Sequence, residues 1–330
     1  PQCTPAGLSA GPRHQLAGRK IVHAGMKNAR SASAKAKALL VLLGVVWGLN
    51  WPAVKVSLGA VSPWTLRTVG LGVAAATLFA LALAGGRSWR ALHIPAGRDR
   101  LHVLLTALLN IAAFNILLTF AQLGTATSRV AIITYSMPLW ATLMACVVLR
   151  ERLDAMRCAG LALGAAGLAV LIAPLAAGGL PPGILYALAA ALTWAAGTVY
   201  MKWARIAALP LAIAAWQLLI GALAALAGLL WFEGMPHPGP LHAAVLCALG
   251  YHIFFGMALG YILWFRIIAQ LPAGTAALGT LLVPVVGVAA AVLLLGEHPS
   301  HADMLGFALI FGAALCVLLP GRRPASLLEA

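Results

Sequence analysis

The chain is poor in acid. Its 330 residues include 7 Asp and Glu against 22 Lys and Arg. All seven acids, Asp99, Glu151, Asp154, Glu233, Glu297, Asp303 and Glu329, fall between hydrophobic runs, at their ends or in a tail. A carrier of lipophilic cations needs a buried carboxylate to hold its cation and exchange it for protons. That class is therefore disfavoured. There is no G-x-x-x-x-G-K-[ST] loop, so ATP does not drive the protein directly. With no H-E-x-x-H pair and no paired acids inside a run, neither a membrane hydrolase nor a metal site is expected, and no cofactor is called for. The five cysteines are spread along the chain, four in or beside hydrophobic runs and Cys3 alone near the start. They form no disulfide framework and read as small apolar residues. Residues 1–37 lack a short apolar core followed by a cleavage site, so they read as a basic cytoplasmic tail and not as a secretory signal. The GLSAG at 7–11 has neither the strand before it nor the helix after it that a hydrolase nucleophile needs.

What the chain has instead is apolar length. Hydrophobic residues make up 62% and charged residues 9%, a balance found in membrane proteins. A spanning helix takes about 20 apolar residues, and lipid admits only helices and closed barrels. The runs are rich in Ala, Leu and Gly without strand-like alternation, so the fold class is an all-α integral membrane protein. Ten spans are expected, near 39–58, 64–84, 101–123, 128–149, 157–174, 183–203, 210–231, 243–266, 273–295 and 303–319. The net charge of +15 falls in the gaps between them. It therefore reports orientation, and nucleic acid is not an expected partner. A cytoplasmic N-terminus puts all but Lys55, Arg67 and Arg129 on the cytoplasmic side. The C-terminal tail, 320–330, then also faces the cytoplasm, and the expected location is a bacterial inner membrane.

The two halves echo each other. At a spacing of 146, Thr134 matches Thr280, Pro138 matches Pro284, Glu151 matches Glu297 and Gly160 matches Gly306; at 147, Trp47 matches Trp194 and Lys55 matches Lys202. Each half, 38–174 and 183–319 with a linker at 175–182, holds five spans. An odd number inverts the second repeat in the membrane, the architecture of secondary transporters.

These residues carry a resemblance. The WGLN of the first span, the T-x-x-x-P of spans four and nine, the LRE and LGE after them, and the small-residue helices at five and ten resemble the EamA-type branch of the drug/metabolite transporter superfamily. It is similar in particular to bacterial exporters of aromatic amino acids and metabolites. The resemblance implies two inverted repeats around a central cavity, alternating access, and export of amino acids or other neutral or zwitterionic metabolites. A multidrug exporter and a sugar-phosphate or nucleotide-sugar exchanger of the same superfamily are the alternatives, and a non-transporting scaffold is the reading from another class. The partners expected are a small substrate and lipid, with the chain acting as a monomer and a dimer as the alternative.

The polar residues inside the spans are the candidate cavity. In WGLNWPAVK, Trp47, Trp51 and Lys55 share one helical face with Asn50 beside them. Pro52 leaves the carbonyl of Gly48 without its helical donor. The sixth span repeats that face as Trp194, Thr198 and Lys202. Asn110, Asn115, Tyr135, Tyr200, Trp216, Gln217, Tyr251, His252 and Tyr261 complete the set, with His252 as the ionisable side chain placed near the bilayer centre. Interfacial anchoring of the tryptophans and ordinary helix–helix bonds are the alternatives. Pro52, Pro138 and Pro284 are candidate hinges, with static kinks as the alternative.

Overall fold

A computed structural model describes residues 38–151, 153–176, 179–268 and 280–318. The tails at 1–37 and 320–330, part of the 175–182 linker and the start of the ninth expected span, 273–279, lie outside the described residues. Among the described residues all regular structure is helical. Eight helices are long and apolar enough to cross a bilayer: α1 (Ala38–Ser57), α2 (Pro63–Ala84), α3 (Arg98–Gly124), α4 (Thr127–Val148), α5 (Ala155–Pro174), α6 (Pro182–Ala204), α7 (Pro210–Phe232) and α8 (Ala243–Trp264). Two shorter apolar helices follow, α9 (Leu282–Leu295) and α10 (His301–Leu318).

The boundaries have local causes. Ser62 caps α2 by accepting from the Thr65 amide at 3.1 Å, and Pro63, Pro182 and Pro210 open α2, α6 and α7, where a missing N–H costs nothing. Gly296 ends α9 at φ 66°, a backbone state that suits glycine. The helices are apolar on every side, so burial is shared between protein and lipid. Trp231, Val147 and Leu293 are more than three-quarters exposed, and they form part of the apolar perimeter that lipid covers.

Helix contacts come in matched pairs, helix n of the first half corresponding to helix n+5 of the second. Three pairings match themselves: α2 along α7, α4 along α9, and α5 along α10. The others match crosswise. α3 packs on α6, and its counterpart α8 bonds to α1. α3 also packs on α7 as α8 packs on α2. Small residues set these distances. A Cβ on Gly167 of α5 would lie 2.9 Å from the Ile310 side chain of α10, and one on Gly44 of α1 would lie 2.8 Å from Leu282 of α9.

Two of the expected hinges coincide with breaks. α4 is interrupted by a turn at Tyr135–Ser136 just before Pro138, and α9 begins after a turn at Thr280–Leu281 just before Pro284. Those turns sit at equivalent places in the two halves. α1, by contrast, runs through Pro52 without a break.

Candidate functional site

Asn50 of α1 and His252 of α8 meet through a 2.9 Å contact between Asn50 Oδ1 and His252 Nδ1. The indole N–H of Trp47 donates to the Gly256 carbonyl at 3.0 Å, and the Tyr251 hydroxyl donates to the Val46 carbonyl at 3.1 Å. α8 can expose such carbonyls because residues Tyr251–Leu259 wind as a π-helix, a form that recurs at functional sites. Glycines admit the large side chains. Asn50 lies against Gly256, Trp47 against Gly260, and Nε2 of His252 is 2.9 Å from where a Cβ on Gly70 of α2 would be. His252 is fully buried, and Nε2 has no hydrogen-bond partner among the described residues.

The same construction recurs in the other half with its residues exchanged. α3 carries the matching π-helix at Ala107–Ala113. Asn110 within it lies against Gly197 of α6 and donates to Thr198 Oγ1 at 3.3 Å. At the spacings of 146 and 147, Asn110 corresponds to Gly256 and Gly197 to Asn50. Each half thus makes one Asn–Gly contact, with the amide on opposite partners. Likewise Gln217 of α7, the counterpart of Gly70, donates to Thr106 Oγ1 at 2.8 Å, and Thr106 is the counterpart of His252.

Between these two nodes the repeats meet. Asn115 and Tyr261 are equivalent positions and adjoin one another. A residue that touches its own repeat partner lies on the two-fold axis relating the repeats. The surrounding core agrees, since it contains the equivalent pairs Leu71 with Leu218, Ala75 with Ala222 and Ile111 with Met257. Into this place reaches Arg67 of α2, 1% exposed, whose Nε donates to the Asn115 carbonyl at 3.0 Å. The charge pattern puts Arg67 with Lys55 and Arg129 on the non-cytoplasmic side, and His252 is the ionisable group expected near the bilayer centre. Arg67 starts one turn inside α2, but its side chain runs inward along the helix and ends on the axis.

A family model described as the EamA-like transporter family matches residues 35–173 and again residues 181–319. The chain belongs to that family. It is a membrane transporter and not an enzyme. Among curated EamA-like relatives, the chain is 30% identical over 291 residues to a probable amino-acid metabolite efflux pump of Escherichia coli, covering 84% of this chain and 93% of that one. It is 26% identical to a probable terminal-alkyne amino-acid exporter of Streptantibioticus cattleyicolor, covering 88% and 97%, and 28% identical to the uncharacterized transporter YvbV of Bacillus subtilis, covering 85% and 90%. A solved crystal structure at 23% identity superposes with a TM-score of 0.59, covering 86% of this chain and 97% of that one. It shares the fold.

In this EamA-like bundle several residues read as cavity candidates have other partners. Trp216 donates its indole N–H to the Leu92 carbonyl at 2.8 Å and packs on Phe79, anchoring the loop between α2 and α3. Tyr200 bonds His102 at 2.7 Å and stands beside Trp203. Trp51 and Tyr135 are buried in the core that also holds Val283 and Val288, Trp51 against Gly287. Trp194 is half-buried on α6.

Polar contacts also close both ends of the EamA-like bundle. At one end Lys55 donates to the Gln122 carbonyl. There the carboxylate of Glu297, just past α9, accepts from the amides of Thr127 and Ser128 at 2.6 and 2.8 Å. It caps α4 across the repeat boundary. At the other end Glu151 accepts from Lys202 at 2.5 Å and from Arg157 at 3.4 Å. The Lys202 ammonium holds the Glu151 carboxyl below its ordinary value. Burial pushes Glu297 up, but the bonds from Ser128 and Thr127 outweigh it and hold the group below its ordinary 4.5. A carboxyl with a depressed folded-state pKa adds stability above its unfolded value, and that contribution is lost as pH falls through the folded one. The melting temperature of Glu297→Gln should therefore lie several degrees below wild type at pH 7. The gap should shrink as pH drops below 4.5 towards 3. A gap that stays constant over that range would show that the carboxylate cap is not what Glu297 contributes.

Proposed function

We propose that the chain is a ten-span exporter of the bacterial inner membrane, carrying amino acids and related zwitterionic metabolites by alternating access between two inverted five-helix repeats. Both termini face the cytoplasm in this reading, as the distribution of Lys and Arg favours. The end closed by Lys55 and Glu297 is then the outer one. The carrying observation is a set of polar groups, the buried Arg67, Asn115 and His252 with the half-buried Asn50 and Tyr261, gathered around the place where equivalent residues of the two repeats meet. A carrier that alternates by exchanging equivalent halves keeps its substrate at that meeting point. The names of two relatives, a probable amino-acid metabolite efflux pump and a probable terminal-alkyne amino-acid exporter, support the substrate class. A buried cation on the axis speaks against lipophilic cations, and a single one is too little for a phosphate dianion. The turns before Pro138 and Pro284 are the proposed hinges, because a break within α4 and a turn at the start of α9 would let each half bend in turn.

Liposomes containing only this protein should exchange radiolabelled amino acids across the membrane. A panel that shows no exchange with any amino acid would refute the substrate class. In that assay Asn50→Ala should reduce exchange at least about tenfold, because it removes the amide oxygen that holds His252 Nδ1 while leaving the helices packed. Trp47→Ala should cost folded protein as well, because the indole fills the space against Gly260 and bonds Gly256. Wild-type exchange by Asn50→Ala would remove Asn50 from the site.

A further inference from the structure

We propose that Arg67 and His252 form the head-group site for an α-amino acid, the guanidinium taking the carboxylate and Nε2 of the imidazole accepting from the ammonium. The inference rests on the amino-acid reading above and names the groups that perform the recognition. Arg67 is the starting point. Its guanidinium stays charged in proteins, and a buried charge is costly unless it is paired. Among the described residues, however, it has no carboxylate within salt-bridge distance. Its Nε is spent on the Asn115 carbonyl, while Nη2 is buried with no partner among the described residues. None of those residues supplies the pairing anion, and a planar fork with one positive charge matches one carboxylate from a substrate.

His252 supplies the second half. Nδ1 faces an amide oxygen, that of Asn50, so Nδ1 carries the proton and Nε2 presents a lone pair. That lone pair is buried and unpartnered. It lies against Gly70, which is one turn from Arg67 and on the same face of α2. His252 also lies within the electrostatic reach of Arg67. The two idle groups are thus an acceptor and a cationic donor, held one helical turn apart beside the repeat axis. An α-amino acid carries its carboxylate and ammonium on one carbon and offers the complementary pair. Gly70 is needed here because any side chain would occupy the acceptor's place.

The test uses purified full-length protein in detergent. Binding is measured for L-phenylalanine and L-leucine, for their amides, which lack the carboxylate, and for 3-phenylpropanoate and 4-methylpentanoate, which lack the ammonium. Wild type should bind the amino acids best, the deaminated acids more weakly and the amides at least about tenfold more weakly than the amino acids. Arg67→Gln should erase the preference for acid over amide, and Arg67→Lys should restore part of it. His252→Ala should erase the preference for amino acid over deaminated acid and leave the acid-over-amide preference in place. Each readout is a ratio within one variant, so a loss of folded protein does not imitate it. Amides that bind wild type as tightly as the acids, or an acid preference that survives Arg67→Gln, would overturn the assignment. So would failure of all six compounds to bind. If liposomes exchange no amino acid but the acids bind through Arg67, the exporter reading falls and the carboxylate site stands; exchange that is indifferent to Arg67→Gln gives the reverse.

Discussion

Exchanging the two residues of one Asn–Gly contact should give a working protein where one of the single changes does not. Gly197→Asn alone puts a second amide where Asn110 already sits, since even a Cβ there would overlap the Asn110 side chain. Overpacking of this kind costs about 1–3 kcal/mol or more. Asn110→Gly alone leaves a void, loses the 3.3 Å bond to Thr198 and costs about 1 kcal/mol in helix propensity. Together, Asn110→Gly and Gly197→Asn place the amide on the first helix of the second repeat and the glycine on the third helix of the first. That is the arrangement Asn50 and Gly256 already show. The double variant should therefore melt closer to wild type than Gly197→Asn does, with a coupling of about 1 kcal/mol or more. It should also recover transport. A double variant no better than Gly197→Asn would mean that the two contacts, though equivalent in sequence, are not equivalent in space.

That exchange also shows where sequence reading stops. The repeat was legible because Pro, Glu and Trp recur at one spacing and each is rare in apolar helices. The spans were legible because hydropathy acts over about 20 residues. Asn50, Asn115, His252 and Tyr261 stood out because polar side chains inside such runs are costly. Their partners were not legible. Gly256 and Gly197 look like any other glycine until the opposing helix is known, and the π-helical stretches of α3 and α8 leave no mark on composition. Arg67 was missed for a related reason. It stands near a span end, where a basic residue usually reaches out to water. Only the Asn115 carbonyl 48 residues away reveals that it turns inward. The partners of Trp216 and Tyr200 were equally hidden, because sequence shows an aromatic residue in a helix but not the loop or histidine it holds.

Removing Asp303 should destabilise the bundle more than removing Arg129, although the two form one ion pair. Arg129 of α4 grips Asp303 of α10 with two bonds, of 2.7 and 2.8 Å. Asp303 does more, since it also accepts from the amide and hydroxyl of Ser300 at 2.9 and 2.8 Å and so fixes the start of α10. Exposure points the other way, because Arg129→Met leaves a side chain 6% exposed and Asp303→Ala one 22% exposed, but the Ser300 bonds go on solvating the aspartate. Stripping one partner from a fully buried pair costs about 3–5 kcal/mol. Arg129→Met should fall below that range, at about 2 kcal/mol, because the aspartate left behind keeps its Ser300 bonds. Asp303→Ala loses the cap as well and strands the guanidinium, so about 3–4 kcal/mol is expected. For a protein of this size both effects amount to several degrees in melting temperature. The pair joins the first repeat to the second beside the Glu297 cap on α4. Combining Asp303→Ala with Glu297→Gln should therefore cost more than either change alone and release the first turn of α4, measurable as faster amide exchange at Val130 and Ala131. Equal melting temperatures for Arg129→Met and Asp303→Ala would show that the Ser300 bonds add nothing, leaving the ion pair as the whole contribution of Asp303.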